Sequence, residues 1–281
     1  MGFEQVGTSR PSVAGTAMLG ARRVATMARH PRMARSLLGV HRQRRAVAGA
    51  ATPMPARART LAYHSLEFPG FGVNDCTAAG FRAQLERAAA LGYRFVSSAE
   101  LAEADPAERL LAVTFDDGLR SVVCWGAPVL AEMDIPWTMF VTTDWADGDG
   151  WCDDLLTWDE VRDLAAAGVT IGSHSAAHPD FALLDPAAAA DDINRSAQRF
   201  LEELGEVPAD FAIPLGTSRN WTPAAHDAAL AAGHVRIWAQ SEDLRSPGTL
   251  PRSFVAAHDT VAMFTALLEG AYDDWEEPAV D

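Results

Sequence analysis

Short apolar segments alternate with helix-patterned ones from residue 59 to residue 269, and most apolar segments stop at a polar or glycine-bearing turn. Leu110–Phe115 is the clearest case. Its six residues are apolar on both faces except Thr114, and Asp116-Asp117-Gly118 breaks the run. A strand without a polar face must be covered on both sides, as in a parallel sheet wrapped by helices. Further strands are expected at 59–63, 93–96, 135–141, 169–172, 210–213 and 234–239. Helical periodicity places helices at 77–91, 122–133, 158–167, 186–204, 223–232 and 259–269. Thr157 and Glu160 form a capping box at the start of the helix that Gly168 ends, and Gly92 ends another. This repeated strand–helix order predicts an α/β chain with a mostly parallel sheet.

Charge sets the flanks apart from this body. The first 60 residues hold 11 Arg and one acid, while the rest holds 12 Arg against 37 Asp and Glu, within a net charge of −15. Three units are expected: a basic Arg- and Ala-rich extension over 1–59, a folded domain over 60–270 and an acidic tail over 271–281. Met33, Leu37, Leu38 and Val40 give residues 31–48 a rough helical period, with Arg32, Arg35, Arg42, Arg44 and Arg45 on the other face. Two readings of the extension stay open. It is disordered or loosely docked, or it is a basic helix that meets an anionic membrane or a partner protein. The acidic body disfavours non-specific nucleic-acid binding, so no nucleic-acid partner is expected. No apolar run reaches the length of a membrane span, and no apolar stretch follows Arg22-Arg23. The expected location is cytoplasmic, with an atypical export signal as the alternative reading. Three Cys are too few for a disulfide framework.

The residues able to do chemistry gather just past strand ends: His64, Asp116, His174 and Pro214. Parallel barrels collect their sites on that face, and four strands feeding it favour a closed barrel over an open sheet. Gly118 lets the chain turn so that Asp116 and Asp117 both reach one cavity. His174 and His178 come together if their segment makes one helical turn. Two His and one Asp make a three-ligand set with a position left for water, which is the catalytic rather than the structural pattern. Each motif alone has an everyday alternative, a solvated Asp-Gly turn or local capping. Together, at the same end of two buried strands, they carry more weight.

Thr114-Phe115-Asp116-Asp117-Gly118 followed by His174-Ser175-Ala176-Ala177-His178 resembles the polysaccharide deacetylase family, the carbohydrate-esterase group built on the NodB homology domain. The likeness extends over about 60–270. Tyr63-His64-Ser65 resembles the opening strand, and Phe211–Gly216 resembles a degenerate third motif. Leu250-Pro251-Arg252 resembles the closing strand of the branch that acts on exopolysaccharide N-acetylhexosamines. The resemblance implies a distorted (β/α) barrel of about seven parallel strands. It implies a divalent metal, usually zinc, on Asp117, His174 and His178, with Asp116 as general base and the backbone N–H of Leu215 as oxyanion donor. The implied reaction is removal of an acetyl group from an N-acetylated amino sugar in a glycan or its precursor.

Departures from the family pattern leave two alternatives open: deacylation of a non-sugar amide, and a weak or inactive carbohydrate-binding protein. Ala212 stands where the family has an Arg that orients the base, and Leu215 where it has Tyr. The Leu-x-His motif that supplies the general acid is absent. His258 lies in the right part of the chain but in a different setting, and His64 substitutes only if it faces the cavity. Trp145 and Trp151, in the acidic loop 143–153, are candidates for stacking on a sugar ring, and Arg219 for binding its hydroxyls.

Overall fold

The computed structural model describes residues 31–240 and 243–275. Its strands are β1 (Arg59–Tyr63), β2 (Ser65–Leu66), β3 (Asp75–Cys76), β4 (Arg94–Phe95) and β5 (Leu110–Phe115), then β6 (Trp137–Val141), β7 (Thr170–Ser173), β8 (Asp210–Ala212), β9 (Arg236–Gln240) and β10 (Leu250–Phe254). Eight of them form one parallel sheet in the order β1-β10-β9-β8-β7-β6-β5-β4. β1 also pairs with β5, from Arg59 opposite Leu111 to Tyr63 opposite Phe115. That pairing closes β1 and β5–β10 into a seven-stranded barrel, with β4 attached to β5 outside the ring. β2 and β3 pair separately. All seven ring strands are parallel, so their C-terminal ends share one face.

The helices are α1 (Pro31–Ala50), α2 (Ala78–Ala90), α3 (Ser98–Glu103), α4 (Arg120–Trp125), α5 (Ala127–Glu132), α6 (Trp158–Ala166), α7 (Pro186–Leu204), α8 (Pro223–Ala231) and α9 (Val261–Leu268). The capping box of Thr157 and Glu160 opens α6. The helix expected over 122–133 is instead the two short helices α4 and α5, which meet at Gly126. A Cβ at Gly126 would lie 2.9 Å from Leu66 Cδ1 on β2 and 3.0 Å from the Val122 carbonyl, so a larger residue there would have to displace the Leu66 side chain. β10 carries no apolar alternation, because Pro251, Arg252 and Ser253 interrupt it, and its place in the ring comes from pairing with β1 and β9.

Tyr63, Phe81, Phe115 and Trp137 pack edge to face between barrel and helices. Inside the barrel, Phe140, Ala212 and Trp238 form a small buried cluster beneath the site.

Both flanks contribute to this body. Arg44 on α1 turns inward rather than joining the exposed Arg42 and Arg45. Its guanidinium bonds both carboxylate oxygens of Asp259, at 3.0 and 2.5 Å, and the Phe254 carbonyl at 3.1 Å. It also lies 4.1 Å from the Tyr272 ring centre. Asp273 accepts from Arg59 at 2.7 Å and pairs with Arg57. Chain on both sides of a domain drawn at 60–270 is therefore packed into it, because buried arginines from one flank need acids and carbonyls from the other end of the chain. Arg22-Arg23 and residues 276–281 lie outside the described residues. Among the described residues no helix is long and apolar enough to cross a membrane.

Candidate active site

Loops at the C-terminal ends of the ring strands surround a cavity of about 280 Å³. His64, Asp116, Asp117, Trp145, His174, His178 and Leu215 line it, as do Gln240 and Arg252. Asp116 and Asp117 follow β5, and the turn begins at Asp117 itself (φ 73°), continuing through Gly118 (φ 65°). The reversal at Asp117 puts both carboxylates on one cavity.

His174 and His178 meet with ring centres 4.8 Å apart. They do not do so through a helical turn. Ser175 (φ 67°) and His178 (φ 55°) are left-handed, and Ser175 Oγ accepts from the His178 N–H at 3.0 Å. Asp192 on α7 holds the same loop by accepting from the N–H groups of Ala176 and Ala177. Leu215 is also left-handed (φ 62°). Four non-glycine residues around one cavity thus sit in a conformation costing about 1–3 kcal/mol each, a cost that concentrates at functional sites.

His174 Nδ1–H donates to the Ala212 carbonyl at 2.9 Å, which leaves the Nε2 lone pair aimed at the cavity. His174 Nε2 and His178 Nε2 lie 3.5 and 3.6 Å from Asp117 Oδ1. The three ligand atoms fall within 4.8 Å of one another. Asp117 Oδ1 is buried without a hydrogen-bond partner. Burial, reinforced by the neighbouring Asp116 charge, pushes the Asp117 carboxyl well above the usual carboxylate range. Burial also lowers His174 and brings His178 to about 3, so both rings are neutral and able to ligate. A buried acceptor beside two neutral imidazoles lacks a positive partner, and a divalent cation supplies one. The donor set suits zinc or a similar ion.

Asp116 has a different environment. Arg252 on β10 grips it with both Nη atoms, at 2.6 and 2.9 Å. Burial alone raises the Asp116 carboxyl, but Arg252 and His174 outweigh it and hold the group far below the usual range. Two adjacent carboxyls are thereby driven in opposite directions. Arg252 is the residue that sequence reasoning missed as a site residue. Its counterpart position, Ala212, has no room for a long side chain, since it packs fully buried with Phe140 and Trp238. The guanidinium instead crosses from the other side, 5.1 Å from the Phe140 ring centre. A buried Arg in the polar closing strand was its only sequence signal.

The other candidates separate. His64 lines the cavity, its ring 5.8 Å from Phe71 and 5.7 Å from Phe254, and burial lowers it to about 4. Trp145 stacks on His178 at 5.1 Å. Trp151 stacks on Phe71 at 5.2 Å, close to the cavity but outside its lining, and is 48% exposed. Pro214 is buried behind Leu215, whose N–H meets no acceptor among the described residues. Arg219 is exposed away from the cavity. His258 is also exposed, beside His41 in the turn before α9.

A closed parallel barrel with an Asp-His-His set and a separate ionised carboxylate at its C-terminal face defines a metal-dependent hydrolase. Residues 103–235 match the model of the family described as polysaccharide deacetylase, so this part of the chain is similar to that family. Several solved structures share the fold. A Streptococcus pyogenes deacetylase, PplD, in complex with acetate, is 19% identical, with TM-score 0.65 over 78% of this chain and 100% of that one. IcaB from Ammonifex degensii is 23% identical, with TM-score 0.63 over 77% and 98%. The BpsB deacetylase domain from Bordetella bronchiseptica is 19% identical, with TM-score 0.59 over 74% and 98%. No curated protein sequence matches the chain.

Proposed function

We propose that this protein removes the acetyl group from an N-acetylated amino sugar within a glycan or glycan precursor, using a divalent metal, most simply zinc. The observation that carries the reading is the different company of two adjacent carboxyls: Asp117 Oδ1 lies 3.5 and 3.6 Å from the Nε2 atoms of His174 and His178, while Asp116 is gripped by both Nη atoms of Arg252. The fold shared with the PplD deacetylase and the BpsB deacetylase domain is in keeping with this reading.

Asp117, His174 and His178 are the residues that would hold the metal. Bound there, it supplies Lewis acidity, lowering the pKa of water and polarising the acyl oxygen. Asp116 accepts the proton of the attacking water, and Arg252 keeps the carboxylate charged and oriented for this. The new C–O bond forms as the acyl oxygen gains charge, and the Leu215 N–H points a donor at it. The C–N bond then breaks, and the amine leaves with a proton. His64 is placed to deliver that proton. Its pKa of about 4 leaves it neutral at pH 7, so it must first take up the proton that the attacking water releases. Trp145 and Trp151 offer apolar faces to the sugar rings. The exposed Arg42 and Arg45 leave a basic face for an anionic surface.

Metal analysis and acetate release test this together. Wild type should carry about one zinc, nickel or cobalt ion per chain and release acetate from N-acetylhexosamine oligomers, and His174→Ala should lose both. A wild-type protein that takes up no metal on reconstitution would remove the mechanism.

A further inference from the structure

Four buried polar atoms without a hydrogen-bond partner belong to residues around the same cavity: His64 Nδ1, Asp117 Oδ1, Arg252 Nε and Gln240 Nε2. The first three residues have roles in the reaction above. Gln240 has none. It ends β9, is 7% exposed, and its carboxamide meets no donor or acceptor among the described residues. Buried amides are almost always bonded, so one left open at a cavity wall marks a place that a ligand completes.

Its position says which ligand atom. The Gln240 backbone N–H donates to the Gly216 carbonyl at 2.8 Å. A Cβ at Gly216 would lie 2.9 Å from Gln240 Cβ and 3.5 Å from its Oε1. Gln240 therefore packs against Gly216, in the turn whose Leu215 N–H also lacks an acceptor, and both residues line the cavity. Glycine at 216, with φ 68°, permits this approach. Two unsatisfied donors on one wall call for an atom that only accepts, and a carbonyl oxygen fits better than a hydroxyl. Resting on the deacetylase reading, we propose that Gln240 Nε2–H is a second oxyanion donor, bonding the substrate's acyl oxygen together with the Leu215 N–H. The bond strengthens as water adds to the carbonyl carbon and charge collects on the oxygen. It weakens again when the C–N bond breaks and the carbonyl of acetate re-forms.

Gln240→Met, which removes the donor at nearly constant volume, and Gln240→Glu, which replaces it with a negative acceptor, are compared with wild type as metal-loaded proteins. The substrate is an oligomer of β-linked N-acetylglucosamine. Gln240→Met should lower kcat about 10²-fold with KM within about twofold, and Gln240→Glu should lower kcat further. The Tm of Gln240→Met should not fall, since the amide supports no contact in the fold. Acetate should bind the Met variant about three- to tenfold more weakly than wild type. Unchanged kcat, a rise in KM alone, or a lower Tm with unchanged kcat each overturns the assignment. If wild type releases no acetate while acetate binding still weakens in the variant, the deacetylase reading fails and the donor assignment stands.

Discussion

Replacing Arg252 by Met asks most directly whether Asp116 is the base and what keeps it one. The two groups are joined by paired bonds of 2.6 and 2.9 Å and are almost completely buried. Unit charges about 4 Å apart at an effective dielectric near 20 attract by about 4 kcal/mol. At roughly 1.4 kcal/mol per pH unit, this moves the carboxyl's midpoint by about three pH units. Without Arg252, the upward push of burial is opposed mainly by His174. The Asp116 midpoint then returns from far below to about the ordinary carboxylate range, so the base is lost as the pH falls through that range. The acid limb of kcat/KM should move up by about two to three pH units, so activity should fall most at acidic pH and much less at pH 7. Arg252→Lys should fall between, because an ammonium keeps the charge but not the two-pronged grip. The assay is a pH–rate profile of acetate release by both variants with saturating metal. An acid limb that stays within about half a pH unit of wild type would refute the account of Asp116.

Two further outcomes concern stability. Burial depresses the pKa of four imidazoles, those of His64, His174, His178 and His234. A group held neutral in the fold stabilises it above its ordinary pKa of about 6.5, and that contribution is lost as the unfolded chain takes up protons below it. The metal-stripped protein should lose Tm from pH 7 to pH 5, with His64 contributing down to about pH 4; Asp117 works in the opposite sense, as one carboxyl against four rings. A thermal scan in chelator showing a flat or rising Tm over that interval would contradict this. Arg44→Met should cost about 3–5 kcal/mol, since it leaves Asp259 buried without its partner, and a denaturant midpoint equal to wild type would show that α1 does not hold the fold.

Local pattern carried the class of the fold. Leu110–Phe115 reads as a doubly covered strand from its own six residues, and Asp116-Asp117-Gly118 reads as its end. Thr157 and Glu160 announced their helix because a capping box lies within one turn. The metal set was legible for the same reason, as each motif is contiguous and each follows a buried strand. The manner in which His174 and His178 meet was not. Spacing suggests a helical turn, whereas two left-handed residues and an acceptor from α7, Asp192, make the turn.

Sequence by itself determined the alternating elements, the barrel face on which polar residues collect, and the types of residue offered to a metal. Tertiary structure alone decided what those residues do. Closure rests on β1 pairing with β5, which no local period encodes. Asp116 is kept ionised by Arg252, 136 positions along the chain, and Arg44 is neutralised by Asp259, 215 positions away. Gln240 is placed beside Gly216 by neighbouring strands. Backbone periodicity reports on neighbours in sequence, but a buried charge is governed by whichever partner the completed barrel brings within a few ångströms.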